Sequence, residues 1–329
     1  MSPRPSPVAP GSPALRWSAL RSGLAALCAV TVMASVAARA DGVEPLPTTE
    51  VAPGVFVYQA PYALLSAANQ GAIANVGFIV GRDSVAVIDT GNTRQAGERL
   101  LAAVRARTKL PIAYVINTHM HPDHALGDVA FKADGTKFVA HAKFARALLA
   151  RAQSYLDAAK RQTDGAADLR LEDIVTPDIE VADRLELDLG DRKLQLQAEP
   201  TAHTDNDLTI LDARTDTWFL GDLLFVGHLP SVDGSLEGWV KVMRRTAERK
   251  VARVVPGHGP ASVDWPGALA PQQRYFDRLR SDVEAMIEKA ATLREASESA
   301  GLSERDGWAL FDEFNARNAI EAYREAEWR

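Results

Sequence analysis

The chain has 329 residues, of which 24% are charged, with 37 Lys and Arg against 43 Asp and Glu and a formal net charge of −6. This acidic balance disfavours a nucleic-acid or anionic-membrane partner. A single cysteine, Cys28, excludes an intrachain disulfide framework and leaves histidine and carboxylate as the side chains able to hold a metal.

The first forty residues carry four Arg and no acidic residue. Arg4, Arg16 and Arg21 precede the apolar stretch from Gly23 to Ala38, which closes with Ala38-Arg39-Ala40 ahead of Asp41. Basic flank, short apolar core and small-x-small site predict a secretion signal over residues 1–40 and a periplasmic mature protein. The apolar run is short for a membrane span, so no membrane association is expected once the signal is removed. Losing four of the 37 basic residues leaves 33 against 43 acidic ones, a net charge near −10, and no cysteine. Residues 41–265 then suffice for one large domain, and the change to helical composition beyond it predicts a helical extension over 266–329.

From Val55 the chain alternates short β-rich runs with helical stretches. Val55–Tyr58, Gly77–Val80 and Val85–Ile88 read as strands, the last two joined by a turn at Gly81-Arg-Asp-Ser84. Ala96 to Arg107 has helical apolar spacing, and Ala113–Asn117 returns to strand. Lys143 to Ala159 reads as an Ala/Leu-rich helix, followed by a polar loop around Asp164-Gly165. Leu185–Leu189 and Lys193–Gln197 alternate as half-buried strands do; Leu208–Leu211, Trp218–Leu220 and Arg253–Val255 complete a second set. Beyond Pro271, Tyr275, Phe276, Leu279, Val283, Met286, Ile287, Ala290 and Leu293 keep helical spacing, and a second helical stretch runs from Glu304 to Trp328.

Metal-ligand residues fall at the ends of these strands. His119, His121, Asp123 and His124 form one short run, Thr118-His-Met-His-Pro-Asp-His124, and His203, Asp222 and His258 follow in Thr-Ala-His203-Thr, Leu-Gly-Asp222-Leu and Pro-Gly-His258-Gly. Two histidines two apart leave a strand on one side, and Pro122 ends the extended segment so that Asp123 and His124 fall where a helix would begin. The turn can therefore split its ligands between two ions. Seven imidazole and carboxylate candidates exceed what one tetrahedral ion can use, which predicts two neighbouring metals and hydrolytic chemistry. A lone histidine such as His203 is ordinarily a hydrogen-bonded structural residue. Here five of the seven histidines share these motifs, and the context reverses that preference. His141 lies outside the pattern and reads as structural or supporting; His228, close after Asp222, is placed to reach substrate. Asp89, ending a buried strand, reads as a support for the ligands, since a buried carboxylate must have partners. The chain has neither a Gly-x-Ser-x-Gly elbow nor a Gly-x-x-x-x-Gly-Lys phosphate loop.

The ordered set Asp89-Thr-Gly91, Thr118-His-Met-His-Pro-Asp-His124, His203, Gly221-Asp222 and Gly257-His258-Gly259 resembles the five signature motifs of the metallo-β-lactamase superfamily, across residues 55–260. The resemblance implies an α/β (α+β) fold, a four-layer αββα sandwich, here with the C-terminal helical extension, and a dinuclear zinc site on one edge. It implies His119, His121 and His203 on the first zinc and Asp123, His124 and His258 on the second, with Asp222 bridging as in the glyoxalase II-like branch. Ile73-Ala-Asn-Val-Gly-Phe-Ile-Val80, Val226-Gly-His-Leu-Pro-Ser-Val-Asp-Gly-Ser235 and Phe311-Asp-Glu-Phe-Asn-Ala-Arg-Asn318 are similar to the quinoprotein relay system zinc metallohydrolases. That likeness implies an exported protein acting beside a periplasmic quinoprotein dehydrogenase.

The expected activity is hydrolysis of a small-molecule ester, thioester or amide. Zinc lowers the pKa of bound water toward ~7, and the resulting hydroxide attacks a polarised carbonyl. Asp123 is expected to orient the nucleophile and accept its proton, with His228 touching substrate. β-Lactam hydrolysis is the alternative, and a non-catalytic metal-binding accessory protein of a dehydrogenase is a third reading. The same ligand set also suits iron.

Overall fold

The computed structural model describes residues 42–133 and 135–328; the predicted secretion signal, with Cys28, lies outside them. In chain order the strands are β1 (Thr48–Ala52), β2 (Val55–Tyr58), β3 (Val76–Val80), β4 (Val85–Ile88), β5 (Ile112–Ile116), β6 (Lys137–His141), β7 (Ile179–Val181), β8 (Arg184–Asp188), β9 (Lys193–Ala198), β10 (Leu208–Asp212), β11 (Thr217–Phe225) and β12 (Arg253–His258). The α-helices are α1 (Arg94–Arg107), α2 (Pro122–Ala125), α3 (Phe144–Gln162), α4 (Leu236–Ala247), α5 (Ala270–Glu288), α6 (Leu293–Ser299) and α7 (Phe311–Glu327).

Strands β1 to β7 form one sheet in sequence order, antiparallel from β1 to β4 and parallel from β4 to β7. The second sheet runs β12-β11-β10-β9-β8, with only β11 and β12 parallel. Between the sheets lies a core of Val55, Val57, Ile79, Ile88, Ile116, Leu196, Ile210 and Phe219. The opposite face of the first sheet buries Phe56, Phe78, Val85 and Val87 against Leu100 and Val104 of α1. The outer face of the second packs Leu211, Trp218 and Leu220 with Trp239 and Met243 of α4, Tyr275 and Phe276 of α5, and Ala319 and Ala322 of α7. These are the four αββα layers implied by the sequence likeness. Covering on both faces explains why β2 and β4 read as unbroken apolar runs, whereas β9, with Lys193 and Gln195 exposed, alternates.

The apolar spacing from Tyr275 to Leu293 predicts continuous helix, but α5 stops at Glu288. The chain turns through Ala290, with φ of 56°, and α6 restarts behind a capping box of Thr292 and Glu295. The stretch expected helical from Glu304 begins its α-helix only at Phe311. Ala309 is held extended instead, donating to Gly227 O at 2.8 Å and accepting from Leu229 N at 3.0 Å.

Candidate metal centre

The ligand candidates converge at the carboxyl ends of β5, β11 and β12. His121 caps α2 with extended backbone, Pro122 takes the first helical turn where its missing N–H costs nothing, and His124 is thereby turned into the interior. His119, His121, His203 and Asp222 form one group of possible metal ligands; Asp123, His124 and His258 form the other. Asp222 reaches both: Oδ2 lies 3.4 Å from His203 Nε2 and 3.5 Å from His258 Nε2, and Oδ1 lies 3.1 Å from His124 Nε2.

Two glycines make that reach possible. The register of β11 against β12 slips around Gly221, which takes φ of +53°, so the strand is re-aimed at the residue before Asp222. A Cβ on Gly257 would stand 1.9 Å from Asp222 Oδ1, in the space the carboxylate occupies.

Four of the five candidate imidazoles, those of His119, His121, His124 and His203, have one nitrogen facing outward to an acceptor. His121 Nε2 donates to Asp233 Oδ2 at 3.0 Å, His203 Nδ1 to Ser231 O at 2.8 Å and His124 Nδ1 to Asp89 Oδ2 at 2.8 Å. His119 Nδ1 donates to Thr118 Oγ1 at 3.1 Å, and that hydroxyl donates in turn to Asp89 Oδ2 at 2.8 Å. One carboxylate, Asp89, therefore supports a histidine of each group; it also accepts from Thr118 N at 2.7 Å. With the outer nitrogens protonated, the inner ones present lone pairs. Those of His119, His121 and His203 lie 2.9, 3.1 and 3.3 Å from one another. Three lone pairs at that separation repel unless a cation sits among them. Ligand atoms about 2.05 Å from a tetrahedral zinc are spaced roughly 3.3 Å apart, and the three nitrogens stand at or slightly inside that spacing. His124 Nε2 and Asp222 Oδ1, both buried and 3.1 Å apart, have no other hydrogen-bond partner among the described residues, as befits atoms that could face a metal.

The electrostatics make the same demand. Burial opposes charge on His258, but Asp222 and Asp123 push it up to about 9. Burial likewise opposes charge on His124, and Asp222, Asp89 and Asp123 overcome it. Burial would raise Asp123, yet His124 and His258 hold its carboxyl below the usual range. Desolvation pulls His203 down to about 3 and His228 to about 4. The buried carboxylates call for positive charge, which divalent cations would supply with the imidazoles neutral.

The structure brings all seven sequence-selected ligand candidates together. His228 lines the cavity of about 550 Å³ beside these residues, its ring tilted 32° to that of His258 at 4.8 Å, with Nδ1 bonded to Leu229 O at 2.7 Å. His141 stands apart, its Nδ1 accepting from Lys143 N at 2.9 Å. Sequence reasoning assigned no role to Asp233, Ser231, Arg151 or Arg317. The first two complete the histidine hydrogen bonds, and both arginines bond Asp233. The one sequence signal for them is that Ser231 and Asp233 share a short segment with His228.

A family model of the metallo-β-lactamase superfamily matches residues 70–258. No curated protein matches the chain. Among solved structures, the chain resembles a stereoselective inverting sec-alkylsulfatase from Pseudomonas sp., with 18% identity and a TM-score of 0.65 over 84% of this chain and 49% of that one. It also resembles a metallo-β-lactamase from Pontibacter korlensis (20% identity, TM-score 0.55, 70% of this chain and 98% of that one). A third likeness is to a metallo-β-lactamase from Hirschia baltica (16% identity, TM-score 0.54, 71% and 98%). The chain thus spans about half the length of the sulfatase and nearly all of the two lactamases. At these identities the likeness establishes the fold.

Proposed function

Because this chain belongs to the metallo-β-lactamase superfamily, we propose that it is an exported dinuclear zinc hydrolase acting on an ester, thioester or amide carbonyl. The supporting observation is the set of inward lone pairs on His119, His121 and His203, fixed by outward hydrogen bonds and joined to the second group through Asp222. His119, His121 and His203 would hold one zinc and Asp123, His124 and His258 the other, with Asp222 shared. Bound zinc supplies Lewis-acid polarisation of a carbonyl and water acidic enough to act at neutral pH.

The chain's own residues do the rest. Asp123, whose side chain keeps 16% exposure against 4% for Asp222, faces the cavity and takes the proton released as water attacks. His228, its Nδ1 committed to Leu229 O, turns Nε2 to substrate as an acceptor. Asp89, Asp233 and Ser231 keep the four imidazoles in the tautomer that leaves their inner nitrogens free. Export rests on the N-terminal segment, and the setting beside a periplasmic quinoprotein dehydrogenase on sequence likeness to the relay-system hydrolases.

The test is elemental analysis combined with turnover of nitrocefin, a simple thioester and an aryl ester. About two zinc ions per chain are expected, with hydrolysis lost to a chelator and restored by Zn²⁺. Two metals without turnover of any of the three substrates would support the accessory reading instead. Iron in place of zinc would refute the assigned metal.

A further inference from the structure

At the rim of the cavity two arginines share a single carboxylate, Asp233, while Asp123 and Asp222 lie among the candidate metal ligands. Arg151 of α3 and Arg317 of α7 both line the cavity. Each commits one terminal nitrogen to Asp233: Arg151 Nη1 to Oδ2, and Arg317 Nη2 to Oδ1 at 2.9 Å. Arg151 Nη1 also contacts Tyr155 OH at 3.5 Å. The other nitrogens of the two guanidinium groups have no protein partner among the described residues, and the side chains are 43% and 54% exposed. Asp233 is meanwhile shared with His121. Two fixed cations thus divide one carboxylate that a third group also uses. Holding Asp233 does not require this much exposed donor capacity.

The neighbouring wall is apolar. Leu64, Leu65, Ile73 and Phe314 line the same cavity, with Leu64 still 43% exposed at its mouth. A guanidinium already anchored by one edge offers its free edge with little ordering cost and matches the planar geometry of an oxyanion. The chain as a whole is acidic, at −6, so an anion is drawn to this place by local charge rather than by the net field.

We propose that the site takes an amphipathic anion, with an alkyl or acyl body lying on Leu64, Leu65, Ile73 and Phe314 and a terminal carboxylate-type or sulfonate-type group held by Arg151 and Arg317. The proposal rests on the hydrolase reading only in placing the scissile group over the metal ligands; the anion site stands on the arginines themselves.

Binding is measured by calorimetry on the full zinc-loaded chain with two probes, octane-1-sulfonate and its neutral counterpart methyl octyl sulfone. The sulfonate should bind about 10-fold more tightly or better, as charged hydrogen bonds to two arginines warrant. In Arg151→Gln/Arg317→Gln that preference should fall to less than about threefold while sulfone binding persists; Leu64→Asn should weaken both probes. Equal binding of the two probes by the native protein would overturn the proposal. So would a sulfonate preference that survives in the double variant, which would put the anion on the metals. A protein that hydrolyses nothing yet shows the arginine-dependent preference sinks the hydrolase reading alone. One that hydrolyses neutral and anionic esters equally and shows no preference sinks the anion site alone.

Discussion

Replacing Asp89 by Asn should weaken metal binding in both groups without unfolding the protein. The buried carboxylate accepts three hydrogen bonds. Thr118 N reaches Oδ1 at 2.7 Å; Thr118 Oγ1 and His124 Nδ1 each reach Oδ2 at 2.8 Å. Asparagine tolerates the left-handed backbone of this position, where φ is 54°, so the turn survives. Its amide does not fit the donors. Placing the carbonyl on Thr118 N sets an NH₂ against His124 Nδ1–H; flipping it sets the NH₂ against the Thr118 backbone N–H. Either way one buried donor faces another, at a cost of about 1–3 kcal/mol. The alternative is for His124 to shift its proton to Nε2, which then cannot ligate. A penalty of about 1–3 kcal/mol corresponds to roughly 5- to 150-fold in metal affinity, bracketing the 10–100-fold typical of outer partners of metal-bound histidine. Because Thr118 relays the same carboxylate to His119, the loss should extend to the first group. Competitive titration with a chromophoric chelator reads both affinities, and circular dichroism checks the fold. Native affinity in Asp89→Asn would refute the tautomer argument.

Arg192→Leu should destabilise the protein by about 3–5 kcal/mol in urea unfolding. It strips the buried bidentate partner from Asp212, at 2.9 and 2.6 Å, and orphans Val80 O of the facing sheet; a loss below about 1 kcal/mol would contradict this. Asp128, pushed by burial to about 7, holds a proton in the folded state that the unfolded chain releases near pH 4. Its contribution is therefore full in acid and lost as pH rises from about 4 to 7. Asp128→Asn, which keeps an acceptor for Thr90 and Asn117, should flatten stability over that range; an unchanged pH slope would refute the assignment. Asn318→Ala removes the partners of Val232 N and Pro230 O at 2.9 and 2.6 Å, which hold the segment carrying Ser231 and Asp233. It should cost about 2–3 kcal/mol and weaken metal binding at the proposed His121 and His203 site, read by the same chelator titration.

What the sequence by itself determined is local. The strands β2 and β4 and the seven ligand candidates are legible because apolar runs, turn residues and ligand-forming side chains sit next to one another in the chain. Pro122 even marks where the histidine run turns into α2. Strands β1, β6 and β7 are short segments that tertiary packing completes, whereas α4 was legible in principle: Leu236, Trp239, Val240 and Met243 keep helical spacing behind the Ser235 cap. Residues 304–307 do wind into a short 3-10 helix, but Ala309 is drawn into extended pairing with Gly227 and Leu229, a contact invisible to periodicity. The outer partners of the histidines were beyond the sequence for a plainer reason. An imidazole's second nitrogen accepts any nearby carbonyl, hydroxyl or carboxylate. Which one it receives depends on loops brought from far along the chain: Asp233 lies 112 residues from His121. The charge at the cavity rim was decided in the same way, since Arg151 and Arg317 meet only when α3 and α7 pack around that aspartate.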